Sequence, residues 1–412
     1  QYDEGYEKLR EQRLISLKKE GIIPNDASAP PCHERVIPWD SLSNEEKAKV
    51  GVFVEMPRGF SKPGYVCKLN KSLCGLKQAP RNFFLHLKTN LEAVGFKSMI
   101  DVDPCLFISD KVICLTYVDD CIMISKDQAE IDKVIDALRE RKMELEKEDD
   151  VAGFLGVSIE KEGDHIKLTQ TGLIKRIIKA LQIDDLHPMS TPSDEALGKD
   201  PEGDPPDCAF SYSSVIGMLW YLYNHSRPDL GFAVSQCARF AFAPKRSHEL
   251  ALIRIGQYLK GTSDKGLIMK PMRRDTFTMD VYVDSDFLGL YGKEARADPD
   301  SVRSRTGYVI MLNGCPVIWS SHLQKSISVS TMHSECLALS AAMREALPLR
   351  DLVESVAQGC GIDSHCLTTF RTTVWEDNIG ALTLANLDPG QNTPRSKFYD
   401  SKVHWFRSYL KP

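Results

Sequence analysis

The stretch Ile113-Cys114-Leu115-Thr116-Tyr117-Val118-Asp119-Asp120-Cys121-Ile122-Met123-Ile124 sets two adjacent carboxylates between two apolar, strand-like halves. It predicts a β-hairpin with Asp119-Asp120 at its tip. Acidic residues are ordinary turn formers, so the pair alone is equally a plain turn. The flanks argue for more. Cys114, Leu115, Ile122 and Met123 are expected to bury the hairpin in a core, leaving Tyr117 and the two aspartates at its rim. Paired oxygen ligands beside a packed hairpin suit Mg²⁺, which favours carboxylates together with substrate phosphates.

Upstream, Lys68-Leu69-Asn70-Lys71-Ser72-Leu73-Cys74-Gly75-Leu76-Lys77-Gln78-Ala79-Pro80-Arg81-Asn82-Phe83-Phe84 combines cations, an amide and a glycine turn just before a helical pattern. Together with Tyr117-Val118-Asp119-Asp120, this stretch resembles the reverse transcriptase of Copia-type retrotransposon Pol polyproteins. The resemblance runs from about Val52 to the C-terminus. It implies a partial palm and thumb, a helical connection and a ribonuclease H-like domain, a fold of α+β and α/β parts. It also implies that Lys71, Lys77, Gln78 and Arg81 touch template or incoming nucleotide.

At 412 residues the chain has room for two or three domains, each with its own core. Its 42% hydrophobic and 26% charged residues are those of an ordinary globular protein. The net charge of -5 gives no global basic signature, so nucleic-acid contact has to rest on local patches. Lys62, Lys68, Lys71, Lys77, Arg81 and Lys88 form one candidate, and Arg395, Lys397, Lys402 and Arg407 another. The twelve cysteines include no C-x-x-C pair, and Cys105, Cys114 and Cys121 fall in apolar strands. That usage predicts reduced, buried thiols in an intracellular protein, cytoplasmic or nuclear. No apolar run reaches the length of a membrane span, and no membrane partner is expected.

Residues 1–50 read differently from the rest. Glu4 to Lys19 has the pattern of a charged helix, with Gly21 as its stop and Pro24 beyond. Tyr2-Asp3-Glu4-Gly5-Tyr6, Gly21-Ile22-Ile23-Pro24 and Ile37-Pro38-Trp39-Asp40-Ser41-Leu42-Ser43 resemble a segment of arylsulfatases. That family's nucleophile motif, Cys or Ser before x-Pro-x-Arg, is absent, so the arm is expected to be a fusion scar without sulfatase activity. Residues 51–187 are assigned to the truncated palm and thumb, 188–275 to a linker and helical connection, and 276–412 to the ribonuclease H-like domain. Within these, Asp127 to Glu148 has helical periodicity, Phe154 to Ile159 reads as a strand, and Leu173 to Leu181 as a helix. Pro188 to Asp207 is a linker by composition.

In the last domain Val281-Tyr282-Val283-Asp284-Ser285-Asp286 alternates, so Asp284 and Asp286 share a strand face. Strands at Gly307 to Leu312 and Cys315 to Ser320 follow, then a helix opened by Thr331 that carries Glu335. Thr373 to Asn378 is a strand ending in acid. Hydrolysing a phosphodiester by in-line attack calls for two divalent ions roughly 4 Å apart, held by several carboxylates. Asp284, Glu335, Asp377 and Asp400 supply four. The resemblance maps them onto the ribonuclease H acids, with Asp284 and Asp377 shared between two Mg²⁺ ions and Glu335 and Asp400 completing one each. His404 is read as structural, with product release as the other role open to it.

The palm departs from the family. No Asp-x-x-x-Ala-Phe pattern precedes Asp119, so the first palm aspartate is missing and the Asp119–Asp120 metal site is incomplete. DNA synthesis is therefore expected to be lost, and two-metal cleavage of RNA in an RNA/DNA hybrid retained. Template RNA or DNA and the hybrid are the expected partners; oligomeric state is left open. The alternatives are a nucleic-acid-binding relic without catalysis and an inert chimeric product.

Overall fold

The hairpin that opened the sequence reading is present: β5 (Val112–Tyr117) pairs antiparallel with β6 (Asp120–Ser125), Tyr117 opposite Asp120. The computed structural model describes residue 18 and residues 53–54, 67–69, 72–73, 75–148, 153–207, 209–272, 276–294, 298–362, 366–367, 369–388, 390–391 and 405–410. The arylsulfatase-like arm thus lies outside the described residues, Lys18 excepted. The chain forms two units, Gln1–Leu87 and Lys88–Pro412.

In the first unit β1 (Phe53–Val54) pairs antiparallel with β2 (Cys67–Lys68). Gly75, at φ +96°, makes the turn that the sequence assigned to it. Helix α1 (Ala79–Ala93) then begins, with Pro80 in its first turn, where a missing N–H costs nothing.

In the second unit β3 (Lys97–Ser98), β4 (Leu106–Ile108), β5 and β6 form one antiparallel sheet in that order, and α2 (Gln128–Glu140) packs on β6. Asp127 caps α2 by accepting from the Ala129 amide at 3.0 Å. The helix stops at Glu140, eight residues short of the periodic pattern, because Lys142 turns left-handed at φ 64°. The hairpin also differs from its prediction. Burial alternates along β5, where Val112, Cys114 and Thr116 face inward and Leu115 is exposed, whereas β6 is half-buried at most and exposes Ile124. The expected burial of Leu115 fails because a two-residue period cannot bury Cys114 and Leu115 on one face.

The strand expected from Phe154 is instead a 3₁₀ turn over Phe154–Gly156, with Leu155 at φ 53°. Two left-handed residues in succession, Leu155 and Gly156, prevent an extended run. Strands β7 (Ser158–Glu162), β8 (His165–Thr169) and β9 (Leu267–Met269) follow as a three-stranded antiparallel sheet. Helices α3 (Thr171–Leu181), α4 (Tyr212–His225), α5 (Gly231–Ala238) and α6 (Arg246–Gly261) share one core, in which Ile174, Ile177, Leu219, Leu222, Val234, Leu252, Ile255 and Leu259 are all fully buried. Each such side chain stabilises by roughly 1.5–3 kcal/mol before entropy is counted. Gly256 lets α3 and α6 touch: a Cβ there would lie 2.4 Å from Leu181 Cδ1.

The Pro/Asp/Gly-rich stretch 188–207 has no helix or strand, yet it is tied down. His248 Nε2 lies 2.7 Å from the Gly198 carbonyl oxygen, Arg239 Nη1 donates to the Leu197 carbonyl, and Lys245 Nζ to the carbonyls of Pro201 and Gly203. Composition therefore predicted the irregular backbone but not the anchoring.

The last sheet runs β12 (Cys315–Leu323), β11 (Arg305–Leu312), β10 (Thr278–Asp286), β13 (Arg371–Trp375). The first three strands are antiparallel neighbours, and β13 is parallel to β10. A parallel neighbour requires a crossover. Helix α7 (Thr331–Gly359) supplies it and packs on β10 and β11. Its buried stripe Leu339, Ala342, Met343 and Ala346 repeats at helical spacing, and the alanines let it sit close to the sheet. α8 (Ile379–Ala385) follows β13. Among the described residues no helix is long and apolar enough to cross a membrane.

Candidate metal centre

Asp284 is the penultimate outward position of β10, and Asp377 lies two residues past the end of β13. The two strands are parallel, with Tyr282 paired to Trp375, so the same step of two residues carries both acids to one end of the sheet on one face. Glu335 reaches them from one turn into α7, whose start is fixed by Ser330 accepting from the His333 amide at 3.1 Å. One oxygen from each of Asp284, Glu335 and Asp377 lies within 4.8 Å of the others. Three elements 93 residues apart along the chain thus converge (377 minus 284).

Three carboxylates this close repel, and the burden falls on the most buried. Glu335 is 6% exposed. Burial, then the charges of Glu376, Asp284 and Asp377, push its carboxyl up to about 8 against a backbone hydrogen bond from Ser285 that favours the anion. Glu376 is pushed up to about 7, chiefly by burial, although the Asn378 amide donates to its Oε1 at 3.1 Å. The Oε2 atoms of Glu335 and Glu376 are buried without a hydrogen-bond partner. An orphaned, desolvated carboxylate oxygen is costly unless it meets a proton or a cation. The all-oxygen donor set fits a hard divalent ion. Asp284, Glu335 and Asp377 are the residues that could hold one.

A buried glutamine holds the acids in place. Gln324 Nε2 lies 3.3 Å from Ser285 Oγ, 3.1 Å from Thr306 Oγ1 and 2.9 Å from the Ser334 carbonyl, and Gln324 Oε1 accepts from Ser328 at 2.7 Å. Ser285 and Ser334 are the immediate neighbours of Asp284 and Glu335, so one amide clamps β10 to the start of α7. The sequence reading missed Gln324 and Glu376. A glutamine between two serine-rich words carries no periodic signal, whereas Glu376 was visible as an acid adjoining Asp377.

Asp119 and Asp120 are exposed, and the two-residue turn is Val118-Asp119, with Asp120 already inside β6. Val118 stands at φ 52°, a conformation unfavourable for a β-branched residue and one that a turn usually gives to glycine. Among the described residues no third carboxylate, histidine or cysteine completes a ligand group with this pair. In the first unit, Lys77, Gln78 and Arg81 are exposed at the start of α1. Lys71, Asp400 and His404 lie outside the described residues, as do Arg395, Lys397 and Lys402. Arg407 corrects the second basic patch: it is 1% exposed and donates from Nη1 to the Gln391 carbonyl at 2.7 Å. It is a core arginine, since its 3₁₀ segment Trp405–Tyr409 packs on α7.

Residues 40–195 match a family model described as reverse transcriptase (RNA-dependent DNA polymerase). The chain is 31% identical over 343 residues to a retrovirus-related Pol polyprotein from transposon RE2 of Arabidopsis thaliana, covering 81% of this chain and 22% of that protein. It spans 91% of an uncharacterized mitochondrial protein of the same plant, at 30% identity over 237 residues and 55% of this chain. A solved foamy viral protease-reverse transcriptase in complex with dsDNA aligns with a TM-score of 0.39 at 15% identity, over 85% of this chain and 60% of that one. The chain therefore spans about a fifth of the transposon polyprotein it matches.

Proposed function

The chain belongs to the retrotransposon Pol family and carries its reverse transcriptase-like domain, and from that premise we propose that its working centre is the acidic trio rather than the palm hairpin. The activity is endonucleolytic cleavage of the RNA strand in an RNA/DNA hybrid, leaving a 3′-hydroxyl. The observation that carries this reading is the convergence of Asp284, Glu335 and Asp377 within 4.8 Å, one of them buried with an unpartnered oxygen. Two Mg²⁺ ions, when bound, neutralise charge on the attacking and leaving oxygens and lower the pKa of a bound water. Asp284 and Asp377 would be shared between them, with Glu335 and Asp400 completing one each.

The chain's own residues do the rest. Gln324 fixes the spacing of β10 and α7, and Asn378 caps α8 through the Ala381 amide at 3.0 Å, holding the Asp377 loop. Hybrid recognition rests on backbone shape and 2′-hydroxyls. The ribonuclease H-like assignment of 276–412 and the Copia-type assignment belong to this proposal. So do the arylsulfatase-like origin of 1–50 and an intracellular location.

DNA synthesis is lost on this reading, because Asp119 and Asp120 face solvent without a third ligand among the described residues. The reading is tested by Mg²⁺-dependent cleavage of labelled RNA in a hybrid by the full chain and by Asp377→Asn. Cleavage that the substitution abolishes supports it, and no cleavage by folded protein refutes it. A second reading, a relic that binds nucleic acid or is inert, is favoured by one observation: Leu115, Val118 and Ile124 are exposed on the hairpin, whose last strand β6 has a free edge among the described residues. Apolar surface beside an open edge invites association.

A further inference from the structure

The parallel register that places the acids also places, one step before them, the paired residues Tyr282 and Trp375. Their rings are nearly parallel, at 9° with centroids 6.1 Å apart, and Trp375 Nε1 donates to Asp280 Oδ1 at 3.0 Å, which fixes the indole. Both are about half exposed, 48% and 51%. By the two-residue period they lie on the face of Asp284 and Asp377, roughly 7 Å away along the strands.

Tyr282 and Asp284 both line a groove of about 310 Å³, whose other residues include Tyr223, Phe232 and Trp319. Gly307, opposite Asp284 in register, adds no side chain to it. The groove therefore joins several aromatic side chains to one acid of the trio, Asp284. Its volume is at the small end for ligand pockets, enough for one flat ring system and too small for a duplex.

We propose that this groove stacks an unpaired nucleobase of the strand whose phosphodiester lies at Asp284, Glu335 and Asp377, so that hybrids carrying a single-stranded tail beside the cut are the preferred substrate class. The inference rests on the phosphodiester site proposed above. Aromatic faces accept any base, so the groove selects for an unpaired base rather than for its identity. A paired base in a hybrid is already stacked on its neighbours and cannot enter. The cation-holding acids would fix the phosphate and Tyr282 the adjoining base, while Trp375, outside the groove, stacks beside the Tyr282 ring and holds it in place.

The test uses the full chain with Ca²⁺ in place of Mg²⁺, so that a hard divalent ion can hold the phosphate while cleavage is suppressed. Fluorescence anisotropy compares a fluorescein-labelled blunt RNA/DNA hybrid with the same hybrid bearing a short single-stranded RNA tail. Tighter binding of the tailed hybrid, by roughly fivefold to a hundredfold, is expected. Both Tyr282→Thr and Trp375→Thr keep strand propensity; the first should erase that preference while leaving blunt binding unchanged, and the second, which frees the Tyr282 ring, should weaken it. Equal binding of the two hybrids by the unmodified chain overturns the proposal, as does a preference that survives both substitutions. Should the variants fail to fold, 2-aminopurine placed in the tail reports stacking in the unmodified chain. Quenching on binding is expected, and unchanged fluorescence overturns the proposal. Failure of the nuclease reading is separable: absent cleavage in Mg²⁺ with an intact tail preference leaves the groove standing, and cleavage without tail preference removes the groove alone.

Discussion

Glu335→Gln separates the electrostatics of the trio from its shape. In the unfolded chain the Glu335 carboxyl loses its proton near 4.5, whereas in the folded protein burial and the three neighbouring acids hold it to about 8. Between those values the folded state binds more protons than the unfolded state, so stability falls as pH rises and levels off above the folded value. At pH 7 the gap is about 2.5 pH units from the unfolded value, which at 1.36 kcal/mol each amounts to roughly 3 kcal/mol. The amide has no charge to desolvate. Without metal, Glu335→Gln should therefore be more stable than the native chain at pH 7 by an amount on that order, and the two should converge towards pH 4.5. Urea unfolding in EDTA, followed by circular dichroism at several pH values, measures this directly. A cation that binds the folded centre reverses the order. At a concentration of Mg²⁺ a hundred times its dissociation constant the native chain gains about 2.7 kcal/mol, and the variant should gain far less. Equal stability of the two proteins in EDTA from pH 5 to 8 would refute the reasoning, because it would mean that Glu335 ionises as an ordinary surface acid.

Asp377→Asn should remove both hybrid cleavage and the Mg²⁺-induced rise in Tm, read by activity gel and thermal melt; a retained rise in Tm would show that the ion binds elsewhere. Gln324→Leu takes the acceptor from the buried Ser328 hydroxyl and the amide donor from the Ser285 and Thr306 hydroxyls, and should cost about 1–3 kcal/mol in urea unfolding while weakening Mg²⁺ binding by calorimetry. Asp229→Ala leaves the Arg227 guanidinium, 2% exposed, without its carboxylate, and a loss of about 3–5 kcal/mol is expected by the same unfolding assay. Val118→Gly relieves a left-handed β-branched turn residue and should stabilise the chain by about 1 kcal/mol in thermal melts, with the hairpin unchanged by amide exchange.

Legibility in the sequence followed the range of the forces involved. The alternation Val281 to Asp286 and the helix opened by Thr331 were readable because each is local: a period of two, and a helical run that the structure shows capped by Ser330. Three of the four acids assigned by resemblance, Asp284, Glu335 and Asp377, meet in space, and the fourth, Asp400, lies outside the described residues. What the chain did not announce was long-range. Gln324 acts through partners on two strands and a helix, and Arg407 looked like a surface cation because nothing near it in sequence shows that α7 covers it. Segment 188–207 read as a linker since its anchors, Arg239, Lys245 and His248, come from later helices. Leu155 and Val118 broke predicted strand and turn chemistry through left-handed backbones, which their side chains disfavour.

Both acidic sites stood out in the sequence, the palm pair already incomplete there, and they are unequal in the structure. The difference lies in what surrounds the carboxylates. Asp119 and Asp120 are neighbours in a hairpin, so chain connectivity alone keeps them together and nothing has to be offset elsewhere. Their exposure means that water screens both charges, and little is gained by placing a cation between them. Asp284, Glu335 and Asp377 are assembled against their own repulsion by a parallel strand pair, a crossover helix and a buried amide. A fold that keeps a carboxyl as acidic as Glu335 ordinarily is at about 8 holds a cost on the order of kilocalories at neutral pH. A cation bound there would offset that cost. That asymmetry, rather than the number of acids, is why the trio carries the functional reading and the hairpin does not.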